Sequence, residues 1–266
     1  MGGRRRSDRC LSDHQIRHPG VVTRVTGLLA GKTALITGGG GGIGLGIARA
    51  FAAEGCAVLI CGRDGAKLAN AAAQIGQNGH VFTADITLEA DRTALFAEAA
   101  RLFADRLDIL VNNAGRATAK RTEDLDVEDF AAVMAVNVTA AFACAQRAFR
   151  IMKAQKAGRI INIGSVSARV PRRNSVPYTT SKFALEGMTR ALALDGRSHG
   201  IAVSILHPGN TESEIWPDAE AVRAAEGLMP AAEVARAAVL MASLPEGINM
   251  LEAIMLPLAM PLLGRG

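Results

Sequence analysis

The sequence predicts a doubly wound α/β fold, a parallel sheet covered by helices on both faces. Three observations carry that expectation. Short apolar runs alternate along the chain with longer segments whose apolar residues recur at helical spacing. The apolar runs are continuous, the pattern of strands buried on both faces. The first run ends in a glycine block, residues 38–44, just before the first helical segment.

The elements follow in order. Residues 33–36 form a strand because four small or apolar residues run into glycine, and 43–53 show helical spacing. Residues 57–61 are the next strand and 67–75 the next helix. Strands at 81–84 and 107–111 flank a helix at 91–103. A long helical zone covers 127–154, and a strand follows at 159–163. Pro177 announces a helix over 178–194. Residues 202–206 form a strand, 231–242 a helix and 253–256 the last strand. Such β-α-β-α alternation implies parallel pairing through crossover helices. The 266 residues suit one domain with a substantial core. The expected division is a disordered, Arg-rich extension over 1–30 and a Rossmann-type domain over 31–266.

Composition narrows the function classes. Hydrophobic residues make up 49% and charged residues 21%, so the chain is globular. A pI near 9.3 resembles a nucleic-acid signal. However, residues 1–30 hold six arginines against two acids, which is +4 of the total +5. A basic face on the folded domain is therefore not implied, and no nucleic-acid partner is expected. The four cysteines, Cys10, Cys56, Cys61 and Cys144, form no C-x-x-C pair and have no histidine at metal-ligand spacing. Buried free thiols in a reducing compartment are expected, and no metal. The arginines near the start lack an apolar run behind them, so a secretory signal is not expected. No uninterrupted apolar run approaches the ~20 residues of a membrane span. Cytoplasm is the expected address, with no membrane partner.

Two motifs carry chemistry. Thr37-Gly38-Gly39-Gly40-Gly41-Gly42-Ile43-Gly44 lies between a predicted strand and a predicted helix. Glycines there permit a tight turn and let the backbone approach a pyrophosphate, while the helix presents free N–H groups and a positive dipole end. The second motif is Ser165, Tyr178 and Lys182. Tyr178 and Lys182 are i, i+4, so one helix face carries both. An adjacent ammonium stabilises phenolate and makes a tyrosine usable as an acid–base near neutral pH. Ser165 can donate a hydrogen bond to a substrate carbonyl as negative charge develops. Ser167 competes with it. His207 reads as a packing residue at a strand end.

With these motifs the chain resembles the short-chain dehydrogenase/reductase family over residues 31 to about 260. The glycine block matches that family's T-G-x-x-x-G-x-G, with Thr37, Gly38, Gly42 and Gly44 in the fixed positions. Asn112-Asn113-Ala114-Gly115 matches its N-N-A-G, and Asn137 its helix asparagine. Ser165, Tyr178 and Lys182 match the catalytic serine and Y-x-x-x-K, and Pro208-Gly209 its P-G. The spacing to Tyr178 selects Ser165 over Ser167. The resemblance implies NAD(P)-dependent interconversion of a carbonyl and an alcohol on a small-molecule substrate. It implies that Lys182 also binds the nicotinamide ribose and that Asn137 holds a proton-relaying water. Cofactor contacts are implied at Gly38, Gly42, Ile43, Gly44, Asn112, Ala114, Gly115, Tyr178 and Lys182. Asp85 and Ile86 match the adenine edge, and Pro208, Gly209, Thr211 and Ser213 the carboxamide segment.

At the end of the second strand Gly62 stands where NAD enzymes of that family carry Asp, and Arg63 follows. Arg63 can pair with a 2′-phosphate, which favours NADP and leaves NAD possible. The family's pairing of long helices implies a homodimer or homotetramer, and the apolar zone with Phe130, Val133, Phe142 and Phe149 is too apolar to remain solvated. Residues 168–176 and 212–230 are expected to line the substrate site. There Arg169, Arg172 and Arg173 are either solvated or available to an acidic substrate, and Trp216 either packs or covers the pocket. The apolar ending after residue 255 is expected to cover the pocket or a neighbouring subunit. Two alternatives remain beside the leading reading: a nucleotide-binding regulatory protein on the same scaffold, and an acyl-carrier-linked 3-ketoacyl reductase.

Overall fold

Seven apolar runs become strands: β1 (Thr33–Thr37), β2 (Ala57–Gly62), β3 (Gly79–Thr83), β4 (Ile109–Asn112), β5 (Gly158–Ile163), β6 (Ile201–Pro208) and β7 (Glu252–Met255). The structure is a computed structural model and describes residues 27–212 and 226–262. All seven strands join one parallel sheet in the order β3-β2-β1-β4-β5-β6-β7. The helices are α1 (Gly42–Ala53), α2 (Gly65–Ile75), α3 (Glu89–Phe103), α4 (Val127–Met134), α5 (Ala141–Gln155), α6 (Val176–Gly196) and α7 (Ala231–Ser243).

Strand alternation builds two cores from one sheet. Ile36, Val58 and Ile60 face α1 and α7, where Ile47, Phe51 and Val234 meet them. Leu35, Leu59 and Leu110 face the other way, against Leu95, Ala148 and Met152 of α3 and α5. Small residues let α1 sit close: a Cβ on Gly46 would stand 3.1 Å from the Ala231 carbonyl oxygen on α7. Cys56, Cys61 and Cys144 are buried free thiols. Burial pushes Cys56 up to about 12 and Cys144 to about 11.

The helical zone is continuous from Val127 to Gln155, but its backbone widens to a π-helical turn over Ala135–Ala140. This rod is long and apolar enough to cross a membrane, which the absence of an unbroken apolar run had argued against. Val133, Ala141, Cys144, Ala148 and Met152 of the rod are buried within the fold.

Core packing includes residues ahead of the expected boundary at 31. Leu29 is 1% exposed and belongs to the core beneath α1. Its amide donates to the Glu54 carbonyl at 3.0 Å, and the Leu28 amide donates to Glu54 Oε2 at 2.7 Å. The run Leu28-Leu29-Ala30 is too short, between Gly27 and Gly31, to show a periodicity, so the sequence pattern did not identify Leu29 as core. Residues 1–26, Ser213 and Trp216 lie outside the described residues. Deleting residues 1–26 is expected to leave the unfolding midpoint unchanged. Leu29→Ala is expected to cost ~2–5 kcal/mol, the range for truncating a buried leucine. Denaturant melts of both variants check this, and a melt for Leu29→Ala that matches wild type would return the domain start to residue 31.

Candidate active site

The sheet order reverses direction at β1 and β4, so the loops leaving these strands diverge and open a crevice at their C-terminal ends. A groove of about 670 Å³ lies there. Thr37 is the seam. Its Oγ1 accepts hydrogen bonds from the Asn113 and Ala114 amides, each at 3.1 Å. Asn113 Nδ2 donates to the Thr37 and Gly38 carbonyls, each at 3.0 Å. Gly38 has φ +67°, and a Cβ on it would stand 2.8 Å from Ala114 Cα. A Cβ on Gly44 would stand 2.3 Å from the Gly38 carbonyl oxygen. The turn therefore works only as glycine.

The groove has the features a dinucleotide needs. Gly38, Gly42, Ile43, Ala114, Gly115, Pro208, Gly209 and Thr211 line it. The N-cap of α1 is Gly41 in extended conformation, and no side chain caps the helix. Its first amides and its positive dipole end suit a pyrophosphate. At the far end Arg63 and Lys67 both line the groove beside Gly62. Lys67 was not singled out from sequence, although its position one helical turn after Arg63 was visible. Asp64 caps α2 by accepting from the Lys67 amide at 3.0 Å. A Cβ on Gly62 meets nothing closer than Leu68 Cδ2 at 3.7 Å, so the groove has room there.

Five of the residues that the resemblance implies for the cofactor, Gly44, Asp85, Ile86, Asn112 and Lys182, are not among those lining the groove. Asn112 is buried in the core, where its Nδ2 donates to Asn162 Oδ1 at 2.9 Å and to the Ala141 carbonyl at 3.1 Å. The asparagine on the groove is Asn113. Strand alternation explains the exchange: neighbours in a strand point to opposite sides. Gly44 packs beneath the turn. Asp85 and Ile86 are not among the groove's lining residues. Asp85 Oδ1 is engaged by the Thr87 amide at 2.9 Å and the Thr87 hydroxyl at 2.7 Å, contacts that hold its pKa below the usual range.

Ser165 and Tyr178 line the groove, and Lys182 is buried beside Tyr178. β5 delivers Ser165, and α6 delivers the other two from one face. The Ser165 hydroxyl accepts from the Ser167 amide at 3.1 Å and lowers the pKa of the Tyr178 phenol. Burial is the larger influence and raises it, while the Arg172 charge lowers it. Lys182 is buried, and its Nζ donates to the Ile163 carbonyl at 2.8 Å. The same Nζ is 5.4 Å from the Tyr178 ring centroid. Burial brings Lys182 down to about 8 from 10.5. This trio can hold a proton at a phenol, polarise a carbonyl oxygen and keep a cation beside both. Ser167 contributes its amide.

Asn137 sits in the π-helical turn and spends its side chain on structure. Its Oδ1 accepts from the Arg116 amide at 2.9 Å, and its Nδ2 donates to the Arg116 carbonyl at 3.0 Å and to Ser181 Oγ at 2.9 Å. Its backbone lies in the wide turn, outside regular α-helical pairing. Of the arginines weighed on sequence, Arg169 pairs with Glu186 and Glu252, and Arg172 with Glu226 and Asn210. Arg172 and Arg173 line the groove. Past β7, Met260 is buried and packs beneath Gly209, where a Cβ would stand 2.7 Å from its Sδ. The apolar ending supports the floor of this chain's own site.

Comparison with known proteins agrees with this geometry. Residues 32–223 match the family model for short chain dehydrogenase. The chain is 36% identical to L-fucose dehydrogenase of Bos taurus, over 71% of this chain and 69% of that protein. It is 40% identical to the L-tagatose-forming galactitol 2-dehydrogenase of Cereibacter sphaeroides, over 70% and 74% respectively. Among solved structures it resembles a 3-ketoacyl-(acyl-carrier-protein) reductase from Brucella melitensis complexed with NADH. There the TM-score is 0.78 with 32% identity, covering 85% of this chain and 98% of that one.

Lys182 generates a test of the site's electrostatics. Its folded pKa lies below the unfolded value, so the folded state is penalised wherever the buried lysine is charged. The penalty is complete below about pH 8 and disappears as pH rises toward about 10.5. Lys182→Met is expected to be more stable than wild type at neutral pH. The gain is at most ~3 kcal/mol, less the ~1 kcal/mol of the lost hydrogen bond. It should shrink in alkali. Denaturant melts at about pH 7 and about pH 9.5 check this. A Met variant that is less stable than wild type at neutral pH would contradict it.

Proposed function

The chain belongs to the short chain dehydrogenase family, and on that premise we propose that Tyr178 is its general acid and base and NADP its preferred hydride carrier. The reaction class is the interconversion of a carbonyl and an alcohol by hydride transfer to or from a nicotinamide cofactor. One observation carries the assignment of roles: the phenol of Tyr178, on the groove, is hydrogen-bonded to Ser165, and the buried Lys182 ammonium stands 5.4 Å from its ring.

The cofactor, when bound, supplies or accepts the hydride. The protein's residues do the rest. The uncapped start of α1 and the glycine turn would hold the pyrophosphate. Ala114, Gly115, Pro208, Gly209 and Thr211 would hold the nicotinamide half. The Ser165 hydroxyl donates a hydrogen bond to the carbonyl oxygen as negative charge grows there. Tyr178 gives that oxygen its proton in reduction and takes it back in oxidation. Lys182 stabilises the phenolate, and the Arg172 charge acts in the same direction. The Asn137 turn orders a water behind Lys182.

NADP is favoured by the pair Arg63 and Lys67 and by the open space at Gly62. An NADH complex in a similar solved structure favours the second reading, NAD. For substrate, two similar proteins act by name on sugars or polyols and a third on an acyl-carrier-linked ketone. A panel of L-fucose, galactitol and an acetoacetyl thioester covers these three. The exposed Phe142 and Phe183, on α5 and α6, support assembly into a homodimer or homotetramer. Light scattering at micromolar concentration is expected to give two or four times the chain mass, and a single chain mass would contradict it.

Tyr178→Phe is expected to lower kcat by at least ~10²-fold, the low end for loss of a general acid, with cofactor affinity retained. Near-wild-type turnover would remove Tyr178 from the mechanism. Arg63→Ala is expected to lower the NADP-to-NAD ratio of kcat/KM by roughly ten- to hundredfold. That follows from ~1.5–3 kcal/mol for a charge-assisted hydrogen bond. A ratio unchanged by Arg63→Ala would make the arginine a solvated residue at the start of α2.

A further inference from the structure

β6 delivers His207 to a position directly behind Ser165. The ring is fully buried. Its Nδ1 is 3.2 Å from the Ser165 amide nitrogen and 2.9 Å from the Ser165 carbonyl oxygen. That carbonyl already accepts from the Ala168 amide at 3.0 Å. A Cβ on Gly164 would stand 2.5 Å from Nδ1, so the ring lies against the end of β5 and only glycine fits there.

The other ring nitrogen looks toward acids. Nε2 is 3.9 Å from both Glu186 Oε2 and Glu252 Oε1. Among the described residues, His207 Nε2 and Glu186 Oε2 are both buried without a hydrogen-bond partner. Glu186 is on α6, one turn beyond Lys182. Its Oε1 is held by Arg169 at 2.7 Å and Arg190 at 2.8 Å. Glu252 of β7 is held by the same two arginines. Two acids and two arginines leave the cluster neutral, with a carboxylate edge turned to the ring. A lone pair on Nε2 would face two carboxylate oxygens, which is repulsive, whereas an N–H there is attracted to them. The clamp requires the proton on Nε2 with Nδ1 accepting the Ser165 N–H, whereas a proton on Nδ1 would donate to the Ser165 carbonyl at 2.9 Å instead. Burial pushes the ring's pKa below its ordinary value; a ring N–H on the Ser165 carbonyl and the charges of Glu252 and Glu186 act the other way, and Arg169 also lowers it. The ring is neutral at neutral pH.

We propose that His207 is a positioning residue for Ser165: its ring, oriented by the carboxylate edge of Glu186 and Glu252, holds the main chain of the serine segment at the end of β5, and so fixes the Ser165 hydroxyl against the Tyr178 phenol. This rests on the acid–base reading of those residues given above. Neither His207 nor Glu186 touches the groove, so both act through Ser165.

A double-mutant cycle isolates the effect. His207→Leu removes the acceptor and keeps the bulk. It is expected to lower kcat at least tenfold on the best compound of the panel, with the dissociation constant for NADPH, read by fluorescence, within twofold of wild type. His207→Asn, whose Oδ1 can accept the same amide, is expected to recover most of the loss. In a Ser165→Ala background, His207→Leu is expected to change kcat by less than twofold. The same loss in both backgrounds would overturn the proposal, as would wild-type kcat in His207→Leu. If His207→Leu does not fold, Glu186→Gln is run through the same cycle and the same outcomes decide. An independent readout uses ¹⁵N-labelled histidine. The His207 ring is expected to show the Nε2–H tautomer at neutral pH, and an Nδ1–H ring or an imidazolium would overturn the proposal. Failure of the acid–base reading would look different, because Ser165→Ala and Tyr178→Phe would then keep wild-type turnover. In that event the tautomer alone decides the clamp.

Discussion

The site depends on a backbone contact between two strand ends, and that contact tolerates no side chain. β1 and β4 run side by side, and their following loops leave in opposite directions. Left alone, such a seam would gape. Thr37 and Asn113 close it with four hydrogen bonds, and Gly38 lies against Ala114 at a distance no Cβ permits. Closing the seam brings the glycine turn, the start of α1 and the Asn113–Gly115 segment onto one wall. A dinucleotide groove follows from that geometry rather than from any single binding residue.

The second requirement is a cation held in poor solvent. Lys182 lies in the core of the site with one backbone carbonyl as its hydrogen-bond partner. An exposed ammonium would be screened and would do little to a nearby phenol. Buried 5.4 Å from the Tyr178 ring, it is little screened, and the fold bears the desolvation. Several buried polar links keep the elements around it rigid. Asn112, Asn162 and Thr189 connect β4, β5 and α6. Asn137 joins the π-helical turn to Ser181, the residue next to Lys182. His207 and the Glu186 cluster complete the set on the side of β6 and β7. Polar groups in a core are costly unless they are partnered, and here most are partnered across elements that carry the site.

Membership in a family of oxidoreductases fixes the reaction class but not the substrate. The residues shared with the family serve the cofactor and the proton. The segments expected to line the substrate site are 168–176 and 212–230. In this chain they bring arginines, one of them locked by Asn210 and Glu226.

By itself the sequence determined the order of elements, the parallel sheet, the glycine turn and the trio Ser165, Tyr178 and Lys182. Each is a local pattern: continuous apolar runs, helical spacing, a fixed interval along the chain. Tertiary structure decided what depends on direction and on distant neighbours. It turned Asn113 to the groove and Asn112 into the core, because adjacent strand residues point to opposite sides. It occupied the Asn137 side chain with the Arg116 backbone, set Asp85 against Thr87, and drew Lys67 up beside Arg63. It buried Leu29, which no periodicity marks. It also gave His207 its neighbours, Ser165 from 42 residues away and Glu186 from another element. A strand-end histidine carries no mark of what will pack behind it, since that is settled only when β5, β6, β7 and α6 come together.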